Sequence, residues 1–399
     1  MTPDQERIVR EIAALRRGTL NFYLYDLAAI TAKVEALRAT LPRQVHVYYA
    51  MKANPHVGIV AHMKRLGVEG IEIASSGEMS GALTAFSGPE IIFTGPGKSP
   101  EELHAALQAG MEQIHVESLM EAWRLSRIAG ALGRTVKVLV RINPAFHIDE
   151  AQTRMGGDSM KFGIDEEQIE QLLPAILQLP HLEVVGFHVF AASGVLDYRL
   201  LLKNAELVFE LVRRLEARFE RSFPVIDLGG GIGVDYLGQG QHFDLAAFGR
   251  GLSDLLASEG LADRKLIFEL GRFLVGDCGF FVTEILDIKT SRGVKQVVCA
   301  GGTNHFRRPA ALKINHPVTI LHRDGIERPQ GVVAVDQEKV YIGGPLCTSA
   351  DKLALDLYLE HAEIGDLAVF ELAGAYGLSM SATPFLSHPL PEEILVHAS

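Results

Sequence analysis

The stretch Val45-His46-Val47-Tyr48-Tyr49-Ala50-Met51-Lys52-Ala53-Asn54-Pro55 runs a β-branched and aromatic strand directly into a lysine and then breaks at a proline. A lysine in that place stands at the C-terminal end of a strand, where (β/α)8 barrels keep their active sites. Held away from water, its amine gives up its proton readily and can form a Schiff base with an aldehyde. A surface lysine at a strand end is the plainer reading, and this segment alone favours it. The decision lies in the rest of the chain.

Outward from Lys52, strand-like runs recur at Gly70–Ala74, Ile91–Thr94, Ile114–Glu117, Val136–Ile142, Val184–Phe190, Pro224–Leu228 and Leu266–Leu270. Helix-period segments such as Glu101–Ala109, Leu119–Leu132, Glu166–Leu177 and Leu200–Phe219 lie between them. This repeated β–α alternation is what an α/β TIM barrel requires; a doubly wound open sheet is the competing arrangement. After Gly271 the pattern changes. Strand-like runs at Phe280–Ile288, Gln296–Ala300, Val332–Val335, Lys339–Ile342 and Asp366–Glu371 follow one another with few helical periods. The expectation is a barrel over 26–274 and a mainly β domain over 275–399. The strand Asn21–Tyr25 joins that second domain, making it discontinuous with residues 1–25.

Bulk properties narrow the function. A chain of 399 residues is long enough for two cores, and a formal net charge of -11 argues against a nucleic-acid scaffold. Cys278, Cys299 and Cys347 form no CxxC pair, which fits a reducing cytoplasm. The charged N-terminus has no signal-peptide pattern and no apolar run is long enough for a bilayer, so no membrane partner is expected. His46, His56, His62 and His188 show neither HxH nor HExxH spacing, so a metal-dependent hydrolase is disfavoured and no metal site is expected.

What stands at the other strand ends changes the weight on Lys52. His188 falls within Gly186-Phe187-His188-Val189-Phe190, and the next strand runs into Asp227-Leu228-Gly229-Gly230-Gly231-Ile232-Gly233. The last barrel strand closes as Phe268-Glu269-Leu270-Gly271-Arg272. The glycines let backbone N–H groups approach a phosphate, in the loops where a barrel usually binds one. Glu269 could pair with a pyridinium nitrogen. Each feature has a bland reading: a satisfied core histidine, a helix-capping turn. Together they describe a site for pyridoxal phosphate. Two look-alikes fail: Val234 stands where GxGxxG needs glycine, and Ile92 where a P-loop ending in Gly97-Lys98-Ser99 needs one. In the second domain Gly344-Pro345-Leu346-Cys347-Thr348-Ser349-Ala350-Asp351 puts a thiol in a turn, and Gly374-Ala375-Tyr376-Gly377 brackets an aromatic hydroxyl with glycines.

These motifs, with YAMKAN at Tyr49–Asn54 and GPGK at Gly95–Lys98, resemble the alanine-racemase-like, fold type III pyridoxal phosphate decarboxylases, the family of diaminopimelate and ornithine decarboxylases. The resemblance covers about Phe22 to Leu395. It implies that Lys52 carries the cofactor, that His188 stacks on its ring and that Glu269 holds its ring nitrogen. Gly230, Gly231, Gly233, Gly271 and Arg272 would surround the phosphate, with Tyr376 reaching it. It also implies a head-to-tail homodimer in which Cys347 of one subunit protonates the carbanion in the other, with Asp351 near the substrate. A non-catalytic relative is the main reading from another class, and retention of Lys52, Glu269 and Cys347 speaks against it. Thr348 stands where diaminopimelate enzymes carry glutamate. The cationic segment 301–309, Ile114–Ser118 and Phe385–Pro389 are similar instead to the family's siderophore branch, which decarboxylates citryl-diaminopropionate. On that likeness Arg307 or Arg308 would read a carboxylate-rich tail. Decarboxylases of carrier-protein-linked glutamyl groups share the same motifs and are the nearest alternative.

Overall fold

A computed structural model describes residues 1–146, 153–154, 159–261, 263–328 and 331–398. Its contacts group into two units: Lys33–Val234 with His242–Phe273, and Met1–Ala32 with Asp235–Gln241 and Leu274–Ser399. Compared with a division at 25/26 and 274/275, segments 26–32 and 235–241 and Leu274 group with the β unit.

The first unit is a closed parallel barrel. Its strands run in the order Gln113–Val116, Ile91–Phe93, Gly70–Ile73, Val45–Ala50, Lys265–Leu270, Val225–Asp227, Leu182–Val189, Val136–Asn143. Pairing of Gln113–Val116 with Val136–Asn143 closes the ring, so an open doubly wound sheet is ruled out. Strands buried on both faces read as nearly continuous apolar runs, as in Ile71, Ile73, Ile91, Ile92 and Phe93. The strand-to-helix turns end in serine N-caps. Ser75, Ser99 and Ser118 accept the backbone N–H of Glu78, Glu102 and Glu121 at 3.2, 3.1 and 3.1 Å, satisfying donors that a helix start leaves orphaned. These caps fix where each helix leaves the mouth of the barrel.

The second unit is built on the long strand Gly279–Ser291. Its first half lies between Asn21–Asp26 and Leu367–Phe370, and its second half pairs Val294–Cys299 after a register shift between Ile285 and Asp287. Asn21–Asp26 also pairs in parallel with Glu392–Val396, which ties both ends of the chain into one sheet. Phe22, Leu24, Phe280, Val282, Leu367 and Val369 form its core. The expected strands Val332–Val335 and Lys339–Ile342 are one strand, Val335–Gly343. Its polar stretch Asp336-Gln337-Glu338 hid the continuity, with Gln337 at a φ of +49°, and the ladder shifts register further on, between Val340 and Ile342. Val318–Leu321, Ala354–Ala362 and Glu392–Val396 were not read as strands; Ala354–Ala362 buries few of its residues and so lacks a continuous apolar run. Among the described residues no helix is long and apolar enough to cross a membrane.

Gly186 shows how tightly the barrel is drawn. It faces Val225 across the sheet, and a Cβ there would run into the Val225 carbonyl oxygen. Backbone cannot step aside as a side chain can. Gly186→Ala should therefore lose about 3 kcal/mol or more of stability in urea unfolding, or fail to accumulate folded; a loss of under about 1 kcal/mol would contradict this packing.

Candidate active site

Six of the eight barrel strands carry an ionisable residue near the C-terminal end of an otherwise apolar run: Glu72, His115, Arg141, His188, Asp227 and Glu269. All six are buried. Parallel pairing sets Arg141 beside His188 and His188 beside Asp227, so the strand register itself assembles the group. Lys52 enters from the 3-10 turn Met51–Ala53 that follows its strand. Its Nζ donates to both carboxylate oxygens of Glu72, at 3.0 and 2.9 Å, and its side chain stays 42% exposed. Glu72 also accepts the Thr94 hydroxyl. The amine is thus fixed at one end of a buried carboxylate.

The histidines form a chain. His115 Nδ1 lies 3.1 Å from His188 Nδ1, so one ring donates and the other accepts. Glu269 is 3.7 Å from His115 Nδ1 and 3.8 Å from His188 Nε2, and Asp227 is 3.8 Å from His115 Nε2. Burial pushes both imidazoles below their usual range, and the nearby Lys98, Arg141 and Lys52 push the same way. Both rings are therefore neutral at pH 7. Burial raises Asp227 and Glu269 above the carboxylate range, and for Glu269 the neighbouring Asp227 adds to it. Behind them Glu117 accepts Arg141 at 2.8 Å and the N–H groups of Gly95 and Gly163 at 3.1 and 2.9 Å. Lys98 pairs with Glu121 at 2.6 Å. These outer groups are paired in full; among the inner ones single atoms are left over.

The inner orphans describe what is missing. His188 Nε2, Glu269 Oε1 and Asp227 Oδ2 are buried with no hydrogen-bond partner among the described residues. A cationic ring nitrogen beside Glu269 would relieve the cost of an unpaired buried carboxylate. At the adjoining strand ends, the N–H groups of Gly230 and Gly231 form no hydrogen bond within the described residues. Gly231 holds a φ of +123°, and a Cβ on Gly230 would strike the Glu269 carbonyl. Gly271 is pressed against Ala53 and Ala50, where a Cβ would come within 2.8 and 3.0 Å. A phosphate receptor at one end and an acid for a ring nitrogen at the other fit pyridoxal phosphate. Gly233 donates its N–H to the Val195 carbonyl at 2.8 Å, and a Cβ there would collide with Gly194, so close packing requires a glycine at this position.

Residues 27–276 match the model of the family described as pyridoxal-dependent decarboxylase, pyridoxal binding domain. The chain belongs to the pyridoxal-dependent decarboxylases. It is 36% identical over 93% of its length, and 93% of the relative's, to the Staphylococcus aureus 2-[(L-alanin-3-ylcarbamoyl)methyl]-2-hydroxybutanedioate decarboxylase. It is 33% identical to the L-glutamyl-[BtrI acyl-carrier protein] decarboxylase of Niallia circulans, over 96% of this chain and 91% of that one. The solved diaminopimelate decarboxylase of Helicobacter pylori, complexed with L-lysine, superposes with a TM-score of 0.86 at 28% identity, covering 98% of this chain and 94% of the other. Pyridoxal phosphate is the cofactor of this decarboxylase.

In the decarboxylase's β unit, Cys347 is exposed in the turn after Val335–Gly343. Asp351, expected near substrate, is buried and occupied. It accepts the Thr303 N–H at 2.6 Å, the Thr303 hydroxyl at 3.0 Å and the Leu346 N–H at 2.9 Å, so it moulds the cysteine turn. Tyr376 sits at a φ of +55°, a sparsely populated conformation for a tyrosine. The two arginines divide. Arg308 is buried, bonded to His316 Nε2 at 2.9 Å and stacked 3.4 Å over the Tyr236 ring, whereas Arg307 is exposed. Arg272 is half-buried at the first position of the helix Arg272–Val275.

Sequence reasoning assigned no role to Glu72, His115, Arg141 or Asp227. Their signal was available: an ionisable residue inside an apolar strand, at the end nearest Lys52. The raised Glu269 carboxyl makes a prediction. Between the ordinary carboxylate pKa and the raised one, the folded chain holds a proton that the unfolded chain has released, so stability falls as pH rises through that window. Without cofactor, Glu269→Gln should be more stable than the parent at pH 8 by about 1–3 kcal/mol, with the gap shrinking toward pH 5. The same variant should hold pyridoxal phosphate less tightly. Denaturant melts and cofactor titration read both, and a variant less stable at pH 8 would contradict the assignment.

Proposed function

We propose that this decarboxylase removes the α-carboxylate of a 2,3-diaminopropionate unit linked to citrate, as a step in siderophore assembly. The observation that carries the reading is the 36% identity to an enzyme whose named substrate is that amide, held across 93% of both chains. Thr348 supports it, since a glutamate there would oppose an anionic tail.

Lys52 is the amine that holds the cofactor's aldehyde, and Glu72 fixes its direction. When bound, the cofactor supplies an electron sink for the charge left on the α-carbon as carbon dioxide departs. Glu269 keeps a proton at the ring nitrogen. Gly230, Gly231, Gly271 and Arg272 hold the phosphate, with Tyr376 reaching it. His188, neutral and braced by His115, packs on the ring without adding charge. In a head-to-tail homodimer, Cys347 of one subunit delivers its S–H proton to the α-carbon in the other, and the turn moulded by Asp351 presents it. Three unpaired cysteines suit a cytoplasmic setting.

Two measurements test this. Side-by-side turnover should show citryl-diaminopropionate decarboxylated and meso-diaminopimelate not; the reverse result, or activity confined to a carrier-protein-bound glutamyl group, would defeat the substrate reading. Cys347→Ala should keep the cofactor's visible absorbance yet lower kcat by about 10²-fold or more, the scale of a lost general acid. Unchanged kinetics and products would mean that another acid delivers the proton.

A further inference from the structure

A cavity of about 650 Å³ opens within the β unit beside the cysteine turn. Leu346 and Thr348, the neighbours of Cys347 on either side, both line it, as do Ser349 and three cations, Arg307, Lys313 and Lys352. No aspartate or glutamate is among its lining residues. Among the described residues none of the three cations is in an ion pair.

We infer that this cavity receives the hydroxy-dicarboxylate end of the substrate, with Lys313 and Lys352 joining Arg307 as its carboxylate readers. The inference rests on the citryl-amide reading above and names residues that the reading does not. Arg308 is already committed to His316 and Tyr236, so the charge must come from the other side chains of the wall. Lys313 ends the short helix Arg308–Leu312 in the left-handed conformation, and Lys352 follows Asp351, whose hydrogen bonds hold the turn. Both lysines are therefore attached to fixed backbone. Ammonium groups carried on an ordered wall bind carboxylates at a lower entropic cost than free surface lysines. Asn315 is occupied, exchanging two hydrogen bonds with the Leu355 backbone at 2.6 and 3.0 Å, so it shapes the wall. The Thr348 position completes the argument: the family's acidic side chain there would have put a negative charge on the rim of this cavity.

The test uses the holoenzyme, the Lys313→Gln/Lys352→Gln double variant, and citrate as the probe. Both lysines are exposed and unpaired, so the variant should fold and keep the cofactor's visible absorbance. Calorimetric titration should show citrate binding weakened at least tenfold in the variant, with ethylenediamine not binding to either protein. With citryl-diaminopropionate, the variant should lose at least tenfold in kcat/KM, carried in KM. Equal citrate affinity in the two proteins, or no citrate binding by the parent, would overturn the cavity assignment. So would turnover of the citryl amide with an unchanged KM, a result that leaves the substrate reading standing. Weakened citrate binding by a variant of an enzyme that cannot decarboxylate the citryl amide would sink the substrate reading instead, and leave the cavity as a hydroxy-polycarboxylate site.

Discussion

Asp227 and Glu269 lie together in the closed end of the barrel mouth, fully surrounded by protein, and neither is ion-paired with a lysine or arginine among the described residues. Two buried carboxylates cannot both ionise without a cation beside them. The neutral histidines next to them cannot supply that charge. The barrel therefore stores a demand for one positive, planar partner. A protonated pyridine ring would meet it, and Lys52 and the N–H groups of Gly230 and Gly231 would meet the other two ends of the same molecule.

The fold makes this arrangement by register. In a parallel barrel the strand ends point the same way, so one ionisable residue near the end of each strand is enough to gather a ring of them. Their charges are then balanced in two tiers. The outer pairs, Arg141 with Glu117 and Lys98 with Glu121, are complete and hold the mouth in shape. The inner groups are left incomplete, and incompleteness at low dielectric is what gives them strong electrostatic reach. The β unit is built differently, with a thiol on a turn and cations on a wall, both held by backbone geometry and by Asp351.

Much of the fold was legible. Val45–Ala50 and Glu166–Leu177 were read to the residue, because their apolar periods are clean and their neighbours break them. The β unit was harder. Asp336-Gln337-Glu338 interrupts a strand that pairs through a bulge, and Ala354–Ala362 lies too exposed to show an apolar run. Among site residues, Lys52, His188 and Glu269 could be found from strand ends. The partnership of His115 with His188 could not, since it joins side chains 73 positions apart. Nor could the hydrogen bonds of Gly233 to Val195 and of Asp351 to Thr303, which join loops far apart in the chain.

The central claim is that one amine at the barrel mouth holds the cofactor. Borohydride reduction of the purified protein loaded with pyridoxal phosphate, followed by peptide mapping in a mass spectrometer, tests it directly. The account predicts a phosphopyridoxyl group on the peptide that contains Lys52 and on no other. A label on a different lysine, or no label on a protein that remains active, would contradict it.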